Sequence, residues 1–173
     1  MVTWGRLRQG LALGLINLGT AGLLSWRAPM LAVESQTVQQ PATPGIHLEL
    51  QLRQRQLLVY RHNQVIRSYP VAVGKPGWET PVGQFQVREL VKNPVWGSFT
   101  DGRIVPAGHP KNPLGKFWIG FWTDGRDVIG FHGTPYPETV GKAISHGCIR
   151  LYNRDVQELF GLVGLGTPVV VKP

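Results

Sequence analysis

The sequence predicts a mainly β domain with one or two short helices near its C-terminal end. The chain has 173 residues with 22 glycines and 14 prolines, which favour turns between short strands. Apolar and polar residues alternate from Ile46 to Leu52, as on a strand with one buried face. Helical signals appear only beyond residue 136, so the order of elements indicates a β-rich fold with a minor α contribution.

The first 32 residues are typical of an export signal. Arg6 and Arg8 precede an apolar stretch at residues 10–25, and Ala32 is the candidate last residue of a cleaved signal. The apolar stretch is shorter than the roughly 20 residues that a membrane-spanning helix needs. We therefore predict a signal peptide at residues 1–32 and export to the periplasm or cell wall. A signal anchor that tethers the chain to the plasma membrane is the alternative.

The strands follow from alternation and turn residues. Residues 33–45 are polar with two prolines and are predicted to be a linker, which places the folded domain at 46–172. Turn-forming residues separate the first three strands into a β-meander, and Asp124-Gly125 marks a later hairpin. The predicted strands are residues 46–52, 57–60, 65–74, 84–90, 117–122, 128–133, 148–151 and 167–173.

Two other segments complete the prediction. Residues 92–116 are rich in glycine, proline and asparagine, and a loop of this length in a small domain is more often functional than filler. We interpret this loop as a flap that covers the substrate. Residues 137–144 are predicted as a short helix, and Asn153 as the N-cap of a second helix that extends to about Val163.

The charge pattern argues against nucleic acid as a partner. The formal net charge is +8, but the basic residues are scattered and no basic stripe with interleaved aromatic residues occurs. A solvated surface explains this scatter, and attraction to an anionic polymer or membrane surface is the functional alternative.

The most informative residue is the single cysteine, Cys148. One cysteine cannot form an internal disulfide, and two histidines lie nearby in sequence, which suggests a cysteine nucleophile with a histidine base. His146 is only two residues away and points in a parallel direction on an extended chain, whereas His132 lies on another predicted strand. Geometry therefore favours His132 as the base. A buried structural cysteine and a zinc site formed by these three residues are the alternatives.

Two glycines are candidates for supporting the chemistry. The amides of Gly147 and Cys148 are candidate donors to a developing oxyanion. The Gly133 carbonyl is a candidate partner for the His132 ring, since no acidic residue accompanies the pair in this segment.

The segment HGT at residues 132–134, followed by SHGCIRL at 145–151, resembles the signature of the L,D-transpeptidase catalytic domain, the YkuD-like family. Three further segments resemble that family in the same order: YPVAVGK at 69–75, TPVGQF at 80–85 and NPLG at 112–115. The resemblance spans about residues 46–172. It implies a β-sandwich-like catalytic domain.

The resemblance also implies roles for individual residues. Cys148 is the nucleophile, His132 the proton donor and acceptor, and His146 a supporting residue that is not the proton acceptor. Gly147 supplies an oxyanion amide. The substrate-binding residues are Ser145, Arg150 and Gly133. No metal or organic cofactor is implied.

The implied reaction begins with attack on a peptidoglycan stem tetrapeptide, which leaves a thioester on Cys148 and releases D-alanine. A second stem then resolves the thioester to give a 3–3 cross-link. A lipoprotein side chain and a free D-amino acid are other acceptors that the resemblance leaves open. The alternatives are an L,D-carboxypeptidase, in which water resolves the thioester, and a non-catalytic wall-binding module.

Overall fold

Two five-stranded β-sheets, two two-stranded β-sheets and one α-helix are the main elements of the part of the chain that the computed structural model describes, residues 33–98 and 101–173. The strands are β1 Gln36–Thr37, β2 Ile46–Gln51, β3 Gln56–Arg61, β4 Gln64–Pro70, β5 Val73–Gly74, β6 Gly83–Gln86, β7 Glu89–Lys92, β8 Trp96–Gly97, β9 Ile104–Val105, β10 Phe117–Thr123, β11 Val128–His132, β12 Ala143–Ser145, β13 Ile149–Arg150 and β14 Pro168–Lys172. The helices are a 3₁₀ turn at Pro137–Thr139 and α1 at Asn153–Leu162.

The first sheet has the strand order β1-β7-β10-β11-β13, and the second has the order β4-β3-β2-β14-β6. Side chains from both sheets and from α1 form one hydrophobic core, because strands with one apolar face must bury that face against another layer. Leu48 and Leu50 enter the core from the second sheet, Phe121 and Phe131 from the first, and Leu159 from α1. The predicted β-sandwich-like class is confirmed.

Two predicted strands are each divided in the structure. Residues 84–90 were expected to form one strand, but β6 pairs with β14 in the second sheet and β7 pairs with β10 in the first. Val87 and Arg88 make the crossing, and their amides bond the carbonyls of Thr167 and Gly120 respectively. Residues 65–74 likewise divide into β4 and β5. Local alternation does not reveal a change of sheet, because both halves keep a buried face.

The predicted helix at 137–144 is wrong beyond Thr139. Gly141 has φ of +85°, which ends any helix, and the following residues form β12 parallel to β5. The predicted helix from residue 153 is confirmed, although Tyr152 occupies the N-cap position and Asn153 is the first helical residue. The Asn153 side chain bonds a neighbouring loop instead of capping its own helix.

The segment that we interpreted as a linker makes hydrogen bonds with the domain. β1 pairs with β7 at the edge of the first sheet, and the Val38 amide bonds the Leu90 carbonyl. Further along, the Ala42 amide bonds the Leu165 carbonyl, and the Leu165 amide bonds the Gln40 carbonyl. The predicted export signal at residues 1–32 lies outside the described residues. In residues 33–98 and 101–173, no helix is long and apolar enough to cross a membrane.

Candidate active site

The register between β11 and β13 brings together three of the predicted site residues. These parallel strands pair Phe131 with Ile149 and His132 with Arg150. Phe131 and Ile149 are fully buried in the core, so His132 and Arg150 occupy the opposite face. Cys148 directly precedes Ile149, and the Arg150 guanidinium affects the pKa of both His132 and Cys148. A cysteine, a histidine and an arginine therefore lie close enough at the end of these two strands for the charge of Arg150 to act on the other two.

Cys148 is a free, half-buried thiol. Its Sγ lies 3.7 Å from the Val128 carbonyl oxygen on β11. Burial raises the pKa of the thiol, while the Gly130 amide and the Arg150 guanidinium oppose this by favouring the thiolate. The thiol is therefore protonated in the resting state near neutral pH and needs a base to react.

His132 is suited to be that base because its ring is neutral and oriented. Its side chain is 4% exposed, and its Nδ1 lies 2.6 Å from the Gly133 carbonyl oxygen. A carbonyl only accepts hydrogen bonds, so in the neutral ring Nδ1 carries the proton and the lone pair lies on Nε2. Burial lowers the pKa of His132 to about 4, with Arg150 acting in the same direction and the carbonyls of Gly133 and Pro113 opposing it. The ring is ready to accept a proton at physiological pH.

Trp118 covers His132 on this face. It lies opposite His132 in the β10–β11 pair, with ring centroids 6.1 Å apart and an interplanar angle of 26°. The indole Nε1 donates to the Glu89 carboxylate at 2.8 Å. A Cβ on Gly130 would approach the indole to 2.8 Å, so this glycine leaves room for the ring to lie against the sheet. Trp118 therefore contributes to the dry environment that keeps the imidazole neutral.

Arg150 is the positive charge of the site. Its backbone bonds Ala72 in both directions, which fixes the residue between β11 and β5. Burial lowers the pKa of its half-buried guanidinium, while Cys148 and Tyr136 act in the opposite direction. Among residues 33–98 and 101–173, no carboxylate forms an ion pair with it. A desolvated arginine without a carboxylate is suited to bind one from a ligand.

Ser145 and Gly147 organise the backbone around Cys148. Ser145 is 1% exposed, and its hydroxyl accepts the Gly147 N–H at 3.1 Å and donates to the Cys148 carbonyl at 2.6 Å. The Gly147 N–H is therefore already bonded to Ser145, which argues against its predicted role as an oxyanion donor. The buried serine hydroxyl likewise has both partners inside the protein, so Ser145 shapes the site rather than touching a substrate.

Gly133 has a packing role beside its bond to His132. A Cβ at this position would lie 2.1 Å from the Asn153 Oδ1 atom. The Asn153 side chain accepts the Thr134 N–H and donates to the Thr134 carbonyl, both at 3.0 Å. This clamp joins the first turn of α1 to the chain that leaves His132, and only glycine fits beneath it. Gly133 thus positions His132. It is buried and has no side chain with which to contact a substrate.

His146 is exposed and packs edge-on against Trp78, with ring centroids 4.7 Å apart. Burial, Lys75 and Arg150 together lower the pKa of His146. Within the described ranges, no group of three His, Cys, Asp or Glu residues is arranged to hold a metal ion.

The loop at 92–116 contains the β8–β9 hairpin, and its base lies beside His132. Asn112 is 2% exposed and donates to the Pro94 carbonyl at 2.7 Å, which ties the two ends of the loop together. The Gly133 amide bonds the Leu114 carbonyl, so the loop base is attached directly to the residue after His132.

The sequence did not identify three residues that contribute to the site: Thr80, Trp118 and Asn153. Thr80 donates its hydroxyl to the Gly147 carbonyl at 2.8 Å. The only signal for it was its place in the TPVGQF segment, since the contact spans 67 positions. Trp118 was assigned to a strand, but its position opposite His132 depends on the pairing of β10 with β11.

The chain is similar to known proteins both in sequence and in fold. The family model described as L,D-transpeptidase catalytic domain matches residues 46–171. A putative L,D-transpeptidase of Bacillus subtilis, YqjB, is 42% identical over 122 residues, which cover 69% of this chain and 66% of that protein. A second from the same organism, YkuD, is 31% identical over 182 residues that cover 99% of each chain.

A solved avibactam carbamoyl enzyme named Ldtfm superposes with a TM-score of 0.62 at 27% identity over 76% of this chain. The present chain spans 50% of that protein's length. The family model covers most of the chain and includes every residue of the site described above. The chain therefore belongs to the L,D-transpeptidase catalytic domain family.

Proposed function

We propose that this protein is an L,D-transpeptidase that acts on peptidoglycan stem tetrapeptides through a thioester on Cys148. One observation carries this proposal. The neutral His132 ring and the Arg150 guanidinium, which forms no ion pair within the described residues, lie on the β11–β13 pair, with Cys148 directly before β13, within a domain of the L,D-transpeptidase family. This set supplies a nucleophile, a base and a carboxylate-binding group, which are the groups that acyl transfer between peptides requires.

In the first step, Cys148 Sγ attacks the carbonyl carbon of the peptide bond between the third and fourth residues of the stem. The thiol proton moves to Nε2 of His132, and a carbon–sulfur bond forms as the carbon–nitrogen bond breaks. His132 returns the proton to the departing nitrogen, so D-alanine leaves as a neutral amine. The product is a thioester, which keeps the acyl group activated.

Arg150 supports the proposal that the substrate is a stem tetrapeptide. The stem peptide ends in a carboxylate, and a half-buried guanidinium without an ion pair in the described part of the chain is a strong partner for that group. The loop at 92–116 is proposed to cover the bound stem, because its base is attached beside His132 through the Leu114 carbonyl.

In the second step, an amine attacks the thioester and Cys148 leaves as the thiolate. A second stem as acceptor gives a 3–3 cross-link, and a lipoprotein side chain or a D-amino acid gives an attached product. Water as the acceptor would make the protein an L,D-carboxypeptidase. A neutral His132 can take the proton from either kind of acceptor, so the acceptor must be identified by its product.

We also propose that the catalytic domain works outside the cytoplasm. The family acts on peptidoglycan, and Arg6 and Arg8 with the following apolar stretch match an export signal. Whether the segment is cleaved or stays as a membrane anchor is decided by the N-terminal sequence and the membrane partition of the mature protein.

Incubation with a disaccharide tetrapeptide, followed by mass spectrometry, tests the proposal. We expect dimers that have lost one D-alanine, and no product from a Cys148→Ala variant. Tripeptide monomers alone would identify a carboxypeptidase instead. An intact protein that forms neither product, and whose Cys148 is not acylated by imipenem, would refute acyl transfer altogether.

Arg150→Met and Arg154→Met form a matched pair for the substrate-binding role. Both remove an arginine, but the Arg154 side chain is 84% exposed and bonds Asp155 away from the thiol. We expect the Arg150 variant to raise KM for the tetrapeptide by about tenfold or more, as expected for loss of a charge-assisted hydrogen bond. The Arg154 variant should keep the wild-type KM, and equal effects of the two would argue against a specific role for Arg150.

A further inference from the structure

A buried threonine from a distant loop holds the peptide group that precedes the nucleophile. Thr80 lies after β5 and is 3% exposed. Its hydroxyl donates to the Gly147 carbonyl at 2.8 Å and accepts the Gly74 N–H at 3.2 Å. We propose that Thr80 is a positioning residue for the oxyanion site, because it orients the Cys148 N–H toward the carbonyl oxygen of the substrate.

The geometry of the peptide bond determines the direction of the Cys148 N–H. The Gly147 carbonyl and the Cys148 N–H belong to one peptide group, and no cis peptide bond occurs among the described residues. In a trans peptide these two groups point in opposite directions. A carbonyl held toward Thr80 therefore directs the Cys148 N–H away from Thr80. We infer that it points to the side where the substrate's acyl group becomes attached to Cys148.

Side-chain hydroxyls hold three consecutive peptide groups around Cys148, and the middle one contains the Cys148 N–H. Ser145 Oγ accepts the Gly147 N–H and donates to the Cys148 carbonyl, which fixes the peptide groups on either side. Thr80 fixes the peptide group between them. Among the residues that the structure describes, the Cys148 N–H has no acceptor. An amide that is oriented and unpaired is a preorganised donor for developing negative charge.

Gly147 explains why an external hydroxyl is needed. Its φ of +110° is a conformation that glycine adopts freely, so the residue itself does not fix its carbonyl direction. The loop that supplies Thr80 is held close to the nucleophile segment by the bond from the Lys75 amide to the Ser145 carbonyl. A Cβ on Gly74 would lie 2.1 Å from the Trp78 carbonyl oxygen, so this loop is tightly folded before it reaches Thr80.

Two reagents separate this role from general reactivity of the thiol. With p-nitrophenyl acetate, the Cys148 thiolate adds to the ester carbonyl, His132 receives the thiol proton, and the carbonyl oxygen becomes an oxyanion. Collapse breaks the carbon–oxygen bond and releases p-nitrophenolate, leaving acetyl-Cys148. With iodoacetamide, the thiolate displaces iodide at a tetrahedral carbon and no oxyanion forms. Loss of oxyanion stabilisation therefore slows the first reaction only.

The test compares both rates in wild type and in a Thr80→Val variant that keeps the shape but lacks the hydroxyl. We expect acetylation to slow by about tenfold or more, a fraction of the effect of removing a whole oxyanion donor, while alkylation stays within about twofold. Thr80→Ser, which keeps the hydroxyl, should restore acetylation. Thr167→Val is the matched control, because this fully buried threonine accepts the Gly164 N–H at 2.9 Å in a loop outside the site.

An unchanged acetylation rate in the Thr80→Val variant would overturn the inference, as would an equal loss of both rates. If circular dichroism shows that this variant does not fold, the same two rates in Thr80→Ala and Thr80→Ser decide the question. The inference rests on the proposed acyl transfer by Cys148, but neither reagent contains a peptidoglycan group. A failure with tetrapeptide alongside a selective acetylation defect would therefore refute the substrate and leave the role of Thr80 intact.

Discussion

The buried neutral histidine predicts that the protein loses stability as the pH falls below neutrality. His132 titrates at about 4 in the folded chain because its ring is desolvated, whereas an unfolded histidine titrates near 6.5. Between these values the unfolded chain binds a proton that the folded chain does not. Unfolding is then favoured as the pH falls, so this contribution to stability is complete above about pH 6.5 and is lost toward pH 4.

The magnitude follows from the two pKa values. Once the imidazole is protonated in both states, the difference corresponds to about 3 kcal/mol of unfolding free energy. Between about pH 7 and pH 5, the same expression gives a loss of about 2 kcal/mol. For a chain of this size, that loss corresponds to a decrease in Tm of about 4–8 °C.

Urea unfolding of wild type and of a His132→Gln variant at the two pH values measures this contribution. Glutamine cannot titrate, so the variant should lack the His132 part of the pH dependence, whatever its stability at neutral pH. Carboxylates with lowered pKa values, such as Glu49 and Glu158, and the other histidines contribute equally to both proteins and cancel in the comparison. Equal losses in the two proteins between pH 7 and pH 5 would refute the assignment of His132 as a buried neutral ring.

Three further predictions concern the same site. Alkylation of Cys148 by iodoacetamide should rise with pH into the alkaline range, because burial raises the pKa of the thiol; a plateau below neutrality would instead indicate a thiolate–imidazolium pair. Trp118→Ala should hydrate the His132 ring and raise its pKa, measured by NMR titration, whereas Trp118→Phe should change it less; an unchanged pKa in the alanine variant would exclude the indole as a cause of desolvation. Gly133→Ala should lower the unfolding free energy by about 1–3 kcal/mol through overlap with Asn153, and adding Asn153→Ala should recover part of it; identical stabilities of the single and double variants would contradict this clamp.

Strands β2, β3 and β14 of the second sheet could be predicted closely because their signals are local. Residues 46–51 alternate between core and outer face along one strand, and the turns that follow contain residues suited to sharp reversals. The helix at 153–162 was also predictable, since its buried positions repeat with helical spacing. The prediction of a helix at 137–144 was wrong because residues 143–145 pair with β5. Local propensity carries no information about pairing between segments so far apart in sequence.

The candidate site could likewise be predicted only in part from the sequence. The order HGT and SHGCIRL placed a cysteine, two histidines and an arginine in one part of the chain, and the choice of His132 over His146 rested on its separate strand. The hydrogen-bonding roles of Ser145 and Gly147 differ from those predicted from the sequence, because they depend on which backbone groups are already bonded. The sequence alone leaves the Gly147 N–H available as an oxyanion donor. The structure shows that this N–H is already donated to the Ser145 hydroxyl.

The sequence by itself determined the mainly β class, the family resemblance and the candidate nucleophile, because these depend on residue types and their order. The tertiary structure decided that His132 is neutral, that Arg150 has no carboxylate partner in the described residues, and that Thr80 reaches the peptide group before Cys148. The physical reason is that desolvation and hydrogen-bond direction are properties of a neighbourhood. That neighbourhood forms only when two sheets and a loop distant in sequence pack together.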